Sequence, residues 1–569
     1  MKIESIIDVA RGNAPADILL KDALVVNVFT GEILKQSVAV KDGVIAGVGD
    51  YDRGEDIFDL AGKYLIPGLI DAHIHIESSM LTPAAFAAAV VPHGVTAVVA
   101  DPHEIVNVTG LAGLEYMINA ASGLPLDIYY MIPSCVPATH LETAGASVGE
   151  AEIRECFKKY PRSPGLAEMM NFPGVYLEDR EVLGKIRAAR ESGLLIDGHA
   201  PLLGGRDLNA YISAGILTDH ECITQEEALE KLRLGMKIII REGSAARNLR
   251  SILPVVTEIN CPNLLFGCDD RSPADLVDEG EIDFVLRKAV SCGLDPVMAV
   301  QMATINPARH YKLCGLGAVA PGYRADLVVL NNLEDFQAEM VFKAGTLVAR
   351  DKKLLAGLPM PEDTSMRNTV RLPELKGRLE LNIPTGKVLA RVIEVLPDQI
   401  LTRGVLVPAG ELTAAQGIAR VAVVERHGKN GNVAVGLVRG FGLKSGAIAS
   451  TVAHDSHNLI IVGLAAGDME LAARTVAETG GGLAVVSGGR VLASLPLPVA
   501  GLISDQDART VAAQHLELHA ATKEIGCLLP SPFMTLSFLA LPVIPELKIT
   551  DMGLVDVKRF EFVDLWVSG

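Results

Sequence analysis

The spacing of apolar positions divides the chain into stretches of different texture. Between residues 17 and 66 apolar residues come in short alternating runs, 18–26, 30–33, 37–41 and 43–49, broken by turn residues. Alternation of period two marks half-buried strands, so this stretch reads as a small all-β unit. From residue 64 to about 314 the texture becomes strand, loop and helix in regular succession, which predicts a parallel sheet of βα units. Eight strands are expected, at 64–75, 94–102, 126–137, 165–171, 194–200, 215–221, 237–242 and 264–270. Amphipathic stretches such as 180–192 and 225–234 lie between several of them. Eight strands in roughly 250 residues is the size of a (β/α)8 barrel.

Beyond the barrel, residues 324–351 return to β-rich alternation and match the texture of residues 17–50, so the two segments are expected to join. A polar, proline-dotted stretch at 358–385 reads as a linker. Further strands are expected at 421–425, 433–438, 459–463 and 483–487. The fold class predicted is therefore α/β: a TIM-like barrel over 67–317, with a small β-sandwich domain built from 1–66 and 318–357. A carboxyl-terminal α+β domain follows over 386–569. No short internal repeat or low-complexity tract appears.

Composition narrows the picture. A length of 569 residues excludes a single small module. With 51 Lys and Arg against 69 Asp and Glu the net charge is −18, which repels a phosphate backbone and argues against a nucleic-acid partner. The eight cysteines show no C-x-x-C spacing and read as reduced thiols, so a cytoplasmic location is expected. Acids at Glu4 and Asp8 interrupt the amino terminus and exclude a signal peptide. Residues 528–547 have the length of a membrane span, but Pro530, Pro532, Pro542 and Pro545 interrupt them, and a buried, extended core segment is expected.

The chemistry falls at strand ends. Six of the eight expected strands deliver a metal ligand or acid near the carboxyl end, the face on which barrel enzymes build their sites. The first ends Asp71-Ala72-His73-Ile74-His75 and the second Asp101-Pro102-His103-Glu104. The fourth carries Glu168, the fifth ends at His199, the sixth at His220-Glu221, and the eighth at Cys268-Asp269-Asp270. Residues two apart on a strand point to one side, so His73 and His75 can share a cation. Alone, an H-x-H pair is as well explained by surface or core histidines. Joined by His199, His220, Glu168 and Asp269 it gives four nitrogen and two oxygen ligands, enough for two divalent ions bridged by Glu168.

The run from Pro67 to His75, with His199, His220 and Asp269, resembles the amidohydrolase superfamily of metal-dependent hydrolases. The blocks IPGLIDAHIHIESSMLTP, VVADPHEIVNV, GLAEMMNFPGV, IDGHAP, CDDR, SGAIASTVAHDSHN and SPFMTLSFLALPVIPELK are similar to the bacterial adenine deaminase family, over nearly the whole chain. That resemblance implies a centre of two divalent metal ions on His73, His75, Glu168, His199, His220 and Asp269, usually Mn2+ or Fe2+. It also implies adenine as substrate, hydrolysed to hypoxanthine and ammonia in purine salvage, and a homodimer. Where other amidohydrolases bridge their metals with a strand-four lysine, this chain has Glu168; Lys158 and Lys159 read as a solvated helix face.

On that resemblance, water activated by the metals attacks C6 of adenine and Asp269 serves as general base. The acid that protonates N1 stays open between Glu221 and Glu77. Asp270 is a candidate for hydrogen bonding the purine edge, and each of these acids reads equally as an orienting group behind a ligand. His103 and Glu104, with Asp101, read either as a helix-capping loop or as substrate-proximal or extra metal-binding groups. The motif Val452–Asn458 reads as a loop over the barrel mouth or, preferably, a buried hydrogen-bonded turn. Gly440–Ser445 lacks the spacing of a phosphate loop. Zinc nucleobase deaminases of the H-x-E and P-C-x-x-C type are excluded, since no P-C-x-x-C occurs. The competing readings are another amidohydrolase acting on a small cyclic or sugar amide, and an inactive scaffold.

Overall fold

The computed structural model describes residues 2–568 except 245, 356, 359–362 and 397–398. Part of the expected linker, 359–362, thus lies outside the described residues. Eight parallel strands form the barrel: Leu69–Ile74, Val95–Ala100, Asp127–Tyr130, Gly165–Met169, Leu195–Gly198, Thr218–Asp219, Lys237–Arg241 and Leu264–Gly267. Register runs Leu69↔Val95, Ala97↔Asp127, Leu195↔Gly165, Thr218↔Lys237 and Ile238↔Leu264. A bridge Ile132↔Leu166 joins strands three and four, and Ile74↔Asp269 closes the circle. Inside, Ile70, Ala72, Ala97, Val99, Met131, Ala167, Ile239 and Leu265 fill the barrel as a packed core.

The expected strand 64–75 is two strands in two sheets. Tyr64–Pro67 pairs with the flanking sheet and Leu69–Ile74 with the barrel, and the chain changes partners at Gly68. The backbone passes so close to the second strand there that a Cβ on Gly68 would lie 2.2 Å from Thr96 Oγ1. Hydropathy alone could not reveal this break, because both halves are apolar.

The flanking sheet has nine strands drawn from both sides of the barrel in sequence. Its central strand Ala16–Val26 pairs antiparallel with Ile33–Lys41 and parallel with Gly54–Asp59, a strand the alternation did not reveal. After the barrel, Leu327–Leu330 pairs antiparallel with Tyr64–Pro67, with Val328 opposite Ile66. Leu20, Val38, Ile45 and Leu65 share one core with Leu327, Val329 and Phe342. Lys343 fastens this sheet to the barrel floor, its ammonium donating to Asp127 Oδ2 at 2.8 Å and to the Thr96 carbonyl.

A second nine-stranded sheet occupies the carboxyl-terminal region, with Ile418–Val424, Val433–Arg439 and Leu459–Gly463 near its centre. Helix Ala466–Glu478 covers one side, burying Met469, Ala472 and Val476. Helix Ala508–Glu524 packs on the barrel helix Pro273–Asp278, bringing this region over the barrel mouth. Between the sheets, Met366 and Leu379 of the stretch expected as a linker are buried. The segment 528–547 differs from the extended form expected: Pro532–Phe538 is an α-helix, because Pro532 at its first turn needs no amide partner. No helix of the described residues is long and apolar enough to cross a membrane.

Candidate metal centre

Each strand end delivers its side chain into one buried cluster at the carboxyl face of the barrel. His73 is the penultimate residue of the first strand, and His75 follows that strand directly. Glu168 lies within the fourth strand; His199, His220 and Asp269 follow the fifth, sixth and eighth. All six side chains are at most 5% exposed. Asp269 adopts φ 58°, a left-handed conformation that Asp tolerates better than most residues. Its N–H donates to the His73 carbonyl at 2.9 Å, which locks the eighth strand end to the first.

Glu168 occupies the middle. Its Oε1 lies 3.2 Å from His75 Nε2 and 3.9 Å from His73 Nε2, while its Oε2 lies 2.7 Å from His199 Nδ1 and 3.3 Å from His220 Nε2. Asp269 Oδ1 sits 3.1 Å from His75 Nε2 and 3.6 Å from His73 Nε2. Two ligands bonded to one cation at about 2.1 Å, at tetrahedral to octahedral angles, stand roughly 3.0–3.4 Å apart. Three of these six separations, 3.1, 3.2 and 3.3 Å, fall in that range. His73 Nε2 and His199 Nε2 are buried with no hydrogen-bond partner among the described residues. An imidazole and carboxylate donor set of this kind fits divalent transition metals.

Charge balance supports the same grouping. Burial raises the Asp269 carboxyl, but the Arg241 guanidinium and the bonds from His73 and His75 outweigh it and hold the group well below the usual carboxylate range. Glu168 is likewise held low against burial, by His199 and His220. Arg241, the last residue of the seventh strand, bonds both Asp269 Oδ2 and Glu221, with its Nη2 donating to Glu221 Oε2 at 2.9 Å. Sequence reasoning passed over Arg241, although it stands at a strand end like the ligands do.

The remaining candidates separate. Glu221 lies 3.7 Å from both His199 and His220 and lines a cavity of about 230 Å3 together with Arg241 and Asn248. Glu77 faces inward, accepts the Ile105 N–H at 3.3 Å, and is pushed up to about 8 by burial and by Glu104. Asp270 bonds the Ser78 hydroxyl, which also donates to Glu104 Oε1 at 2.9 Å; burial and Asp269 raise its pKa. Asp101 does cap the turn, accepting from the His103 N–H at 3.0 Å and facing His103 Nδ1 at 2.9 Å. His103 is nevertheless close to the cluster, 3.6 Å from Glu168 Oε1. The cap is thus present, and His103 and Asp101 also converge with His75 and Glu168.

Asp71 and Cys268 lie under the centre, the Asp71 carboxylate accepting the N–H groups of His73 and Cys268. Lys158 and Lys159 end an exposed helix face, far from any bridging role. The Val452–Asn458 motif is buried, as expected of a turn, and also reaches the barrel mouth, with His454 Nδ1 3.2 Å from Glu104 Oε1. No local signal could have placed residues 350 positions apart in contact.

An eight-stranded parallel barrel with a histidine and carboxylate centre at its carboxyl face defines a metal-dependent hydrolase, and the amidohydrolase family model matches residues 64–348. The chain belongs to the amidohydrolase family, which implies a divalent metal. The model of the adenine deaminase C-terminal domain matches residues 399–561. The chain is 50% identical over 570 residues to "Adenine deaminase" of Desulfatibacillum aliphaticivorans, covering 99% of both chains. It is 50% identical over 569 residues to "Adenine deaminase 2" of Carboxydothermus hydrogenoformans, again covering 99% of both. To "Adenine deaminase" of Kosmotoga olearia it is 46% identical over 579 residues, covering 100% of both. Within the amidohydrolases, it is thus a member of the adenine deaminase family.

Proposed function

We propose that the chain is an adenine aminohydrolase, converting adenine and water to hypoxanthine and ammonia, with His73, His75, Glu168, His199, His220 and Asp269 holding two divalent ions. The observation that carries this reading is Glu168, whose two oxygens face two separate pairs of imidazoles. Mn2+ is the preferred ion and Fe2+ the second, both suited to mixed imidazole and carboxylate ligands. Two such ions bound there lower the pKa of a nearby water toward neutrality.

The protein's own groups handle the protons. Asp269 accepts one and returns it to the departing amine, with Arg241 fixing the orientation of the carboxylate. Glu221 is the better placed of the two acids to serve ring N1, since it lines the cavity beside the centre while Glu77 is turned to the Ile105 amide. Asp270 and Glu104 border the same mouth and help seat the base, while His103 stands against the metal cluster beside Glu168. The assembly proposed is a cytoplasmic homodimer. The deciding assay follows hypoxanthine and ammonia from Mn2+-loaded protein with adenine, adenosine, cytosine and acetylated sugars in parallel. Rapid release from adenine alone supports the reading; none from adenine sinks it.

A further inference from the structure

The turn that carries His454 and Asp455 follows strand Ala447–Ser450 of the carboxyl-terminal sheet, yet its side chains are spent on the barrel. The His454 ring stacks on Phe538, with centroids 4.7 Å apart, and the His454 backbone N–H donates to Ser537 Oγ at 3.1 Å. Asp455 Oδ1 lies 3.6 Å from His103 Nε2, and Asp455 Oδ2 is buried with no hydrogen-bond partner among the described residues. Farther along the seam, Asn458 Nδ2 donates to the Thr143 carbonyl at 2.8 Å and Asn430 Nδ2 to Thr143 Oγ1 at 3.0 Å.

Glu104, His454 and His457 form a buried trio that has the look of another cation site. His457 argues against it. Its Nδ1 accepts the Ala453 N–H at 3.1 Å, so the neutral ring carries its proton on Nε2 and neither nitrogen offers a lone pair. Within the trio His454 Nδ1 meets Glu104 Oε1 at 3.2 Å while His457 Nε2 has no partner among the described residues, and the chemistry of the seam lies in Asp455.

His103 is gripped on one side by Asp101, which takes both its N–H and its Nδ1. Its ring stands edge-on to His75, centroids 4.7 Å apart, and its Nδ1 is 3.6 Å from Glu168 Oε1. The opposite nitrogen, Nε2, faces Asp455. A buried carboxylate with an unpaired oxygen is costly unless an opposite charge offsets it, so its placement behind this ring calls for a role. We propose that Asp455 is a positioning residue for the metal centre: supplied by the carboxyl-terminal region, it holds the His103 ring against His75 and Glu168 and so fixes the bridging carboxylate.

This inference rests on the binuclear reading above. Carboxylates that orient the imidazoles of a metal site are worth about 10- to 100-fold in metal affinity or activity. The test uses the full-length apoprotein with Asp455→Asn, His103→Gln and, as a control on the same seam but away from His103, Asn430→Ala. Mn2+ affinity is titrated by the electron paramagnetic resonance signal of free Mn2+, and kcat and KM are measured for adenine.

Asp455→Asn and His103→Gln are each expected to weaken Mn2+ binding or lower kcat by about 10- to 100-fold with KM less affected, and the double variant to lose no more than either alone. Asn430→Ala stays within twofold of the wild type. Asp455→Asn matching Asn430→Ala overturns the proposal. So does His103→Gln with wild-type affinity and kcat, which decides the matter even if Asp455→Asn does not fold. A wild type that holds two Mn2+ and leaves adenine intact removes the deaminase reading, and the Mn2+ titration then decides this one.

Discussion

Asp269 and Glu221 share one guanidinium, that of Arg241, and this sharing sets what each can do. The arginine keeps Asp269 ionised, ready to receive a proton, and holds it at a fixed angle to His73 and His75. Replacing Asp269 by Asn keeps the shape and removes the base, so kcat for adenine is expected to fall by about 10²- to 10⁴-fold while the protein stays folded. Steady-state kinetics with a thermal melt checks both halves. A different residue contributes its own dependence of stability on pH. Lys548 is wholly buried, donates only to the carbonyls of Ile400 and Phe538, each at 2.9 Å, and is pushed down by burial to about 7. The unfolded lysine titrates near 10.4, so between pH 7 and 10 the unfolded chain binds more protons at this residue, and the contribution of Lys548 to stability rises with pH. The urea midpoint of the wild type relative to that of Lys548→Met is therefore expected to rise from pH 7 to 9, and a constant difference between the two would contradict this account.

At the scale of elements, the site depends on how tightly neighbouring strands approach. Gly198 ends the fifth strand just before His199, and a Cβ there would meet the Thr218 carbonyl at 2.2 Å. Backbone cannot step aside as a side chain can. Gly198→Ala is therefore expected to cost about 1–3 kcal/mol of stability by overpacking and to displace His199 from Glu168. Chemical denaturation and metal content per chain would register the two effects together. The cluster itself was legible because a barrel places strand ends on one face, so an acid or histidine at the end of an apolar run is already a statement about position. Arg241 obeys the same rule, but a cation in a supposed cation site conflicts with simple charge arithmetic and drew no notice. The break at Gly68 and the helix Pro532–Phe538 were hidden for another reason: apolar runs buried on every side look alike whichever partner they pack against.

For the whole molecule, the six clustered side chains come from five strands of the barrel, while the cavity beside them is lined by barrel loops together with Gln399, Ile400, Leu401 and Ile544. Metal that binds only the closed native arrangement stabilises it by mass action, about 2.7 kcal/mol at one hundred times the dissociation constant. The melting temperature is expected to climb steadily with free Mn2+ and to return on chelation, measured by differential scanning fluorimetry; a flat response would contradict a native-state site. The contact of His454 with Glu104 shows where reading stops, since only the folded chain reveals that a carboxyl-terminal turn completes the mouth.

The strand Tyr64–Pro67 is left with one neighbour until Leu327–Leu330 arrives to pair with its other edge. At about 5–20 residues per second of synthesis, the 260 intervening residues take roughly 13–52 seconds to emerge. During that time the nascent chain presents an apolar strand edge to every passing polypeptide, and it must also thread a full barrel before the edge is sealed. Production of this protein therefore depends on what shields a half-made sheet at the ribosome, and its yield should respond to chaperone supply more than to the stability of the finished fold.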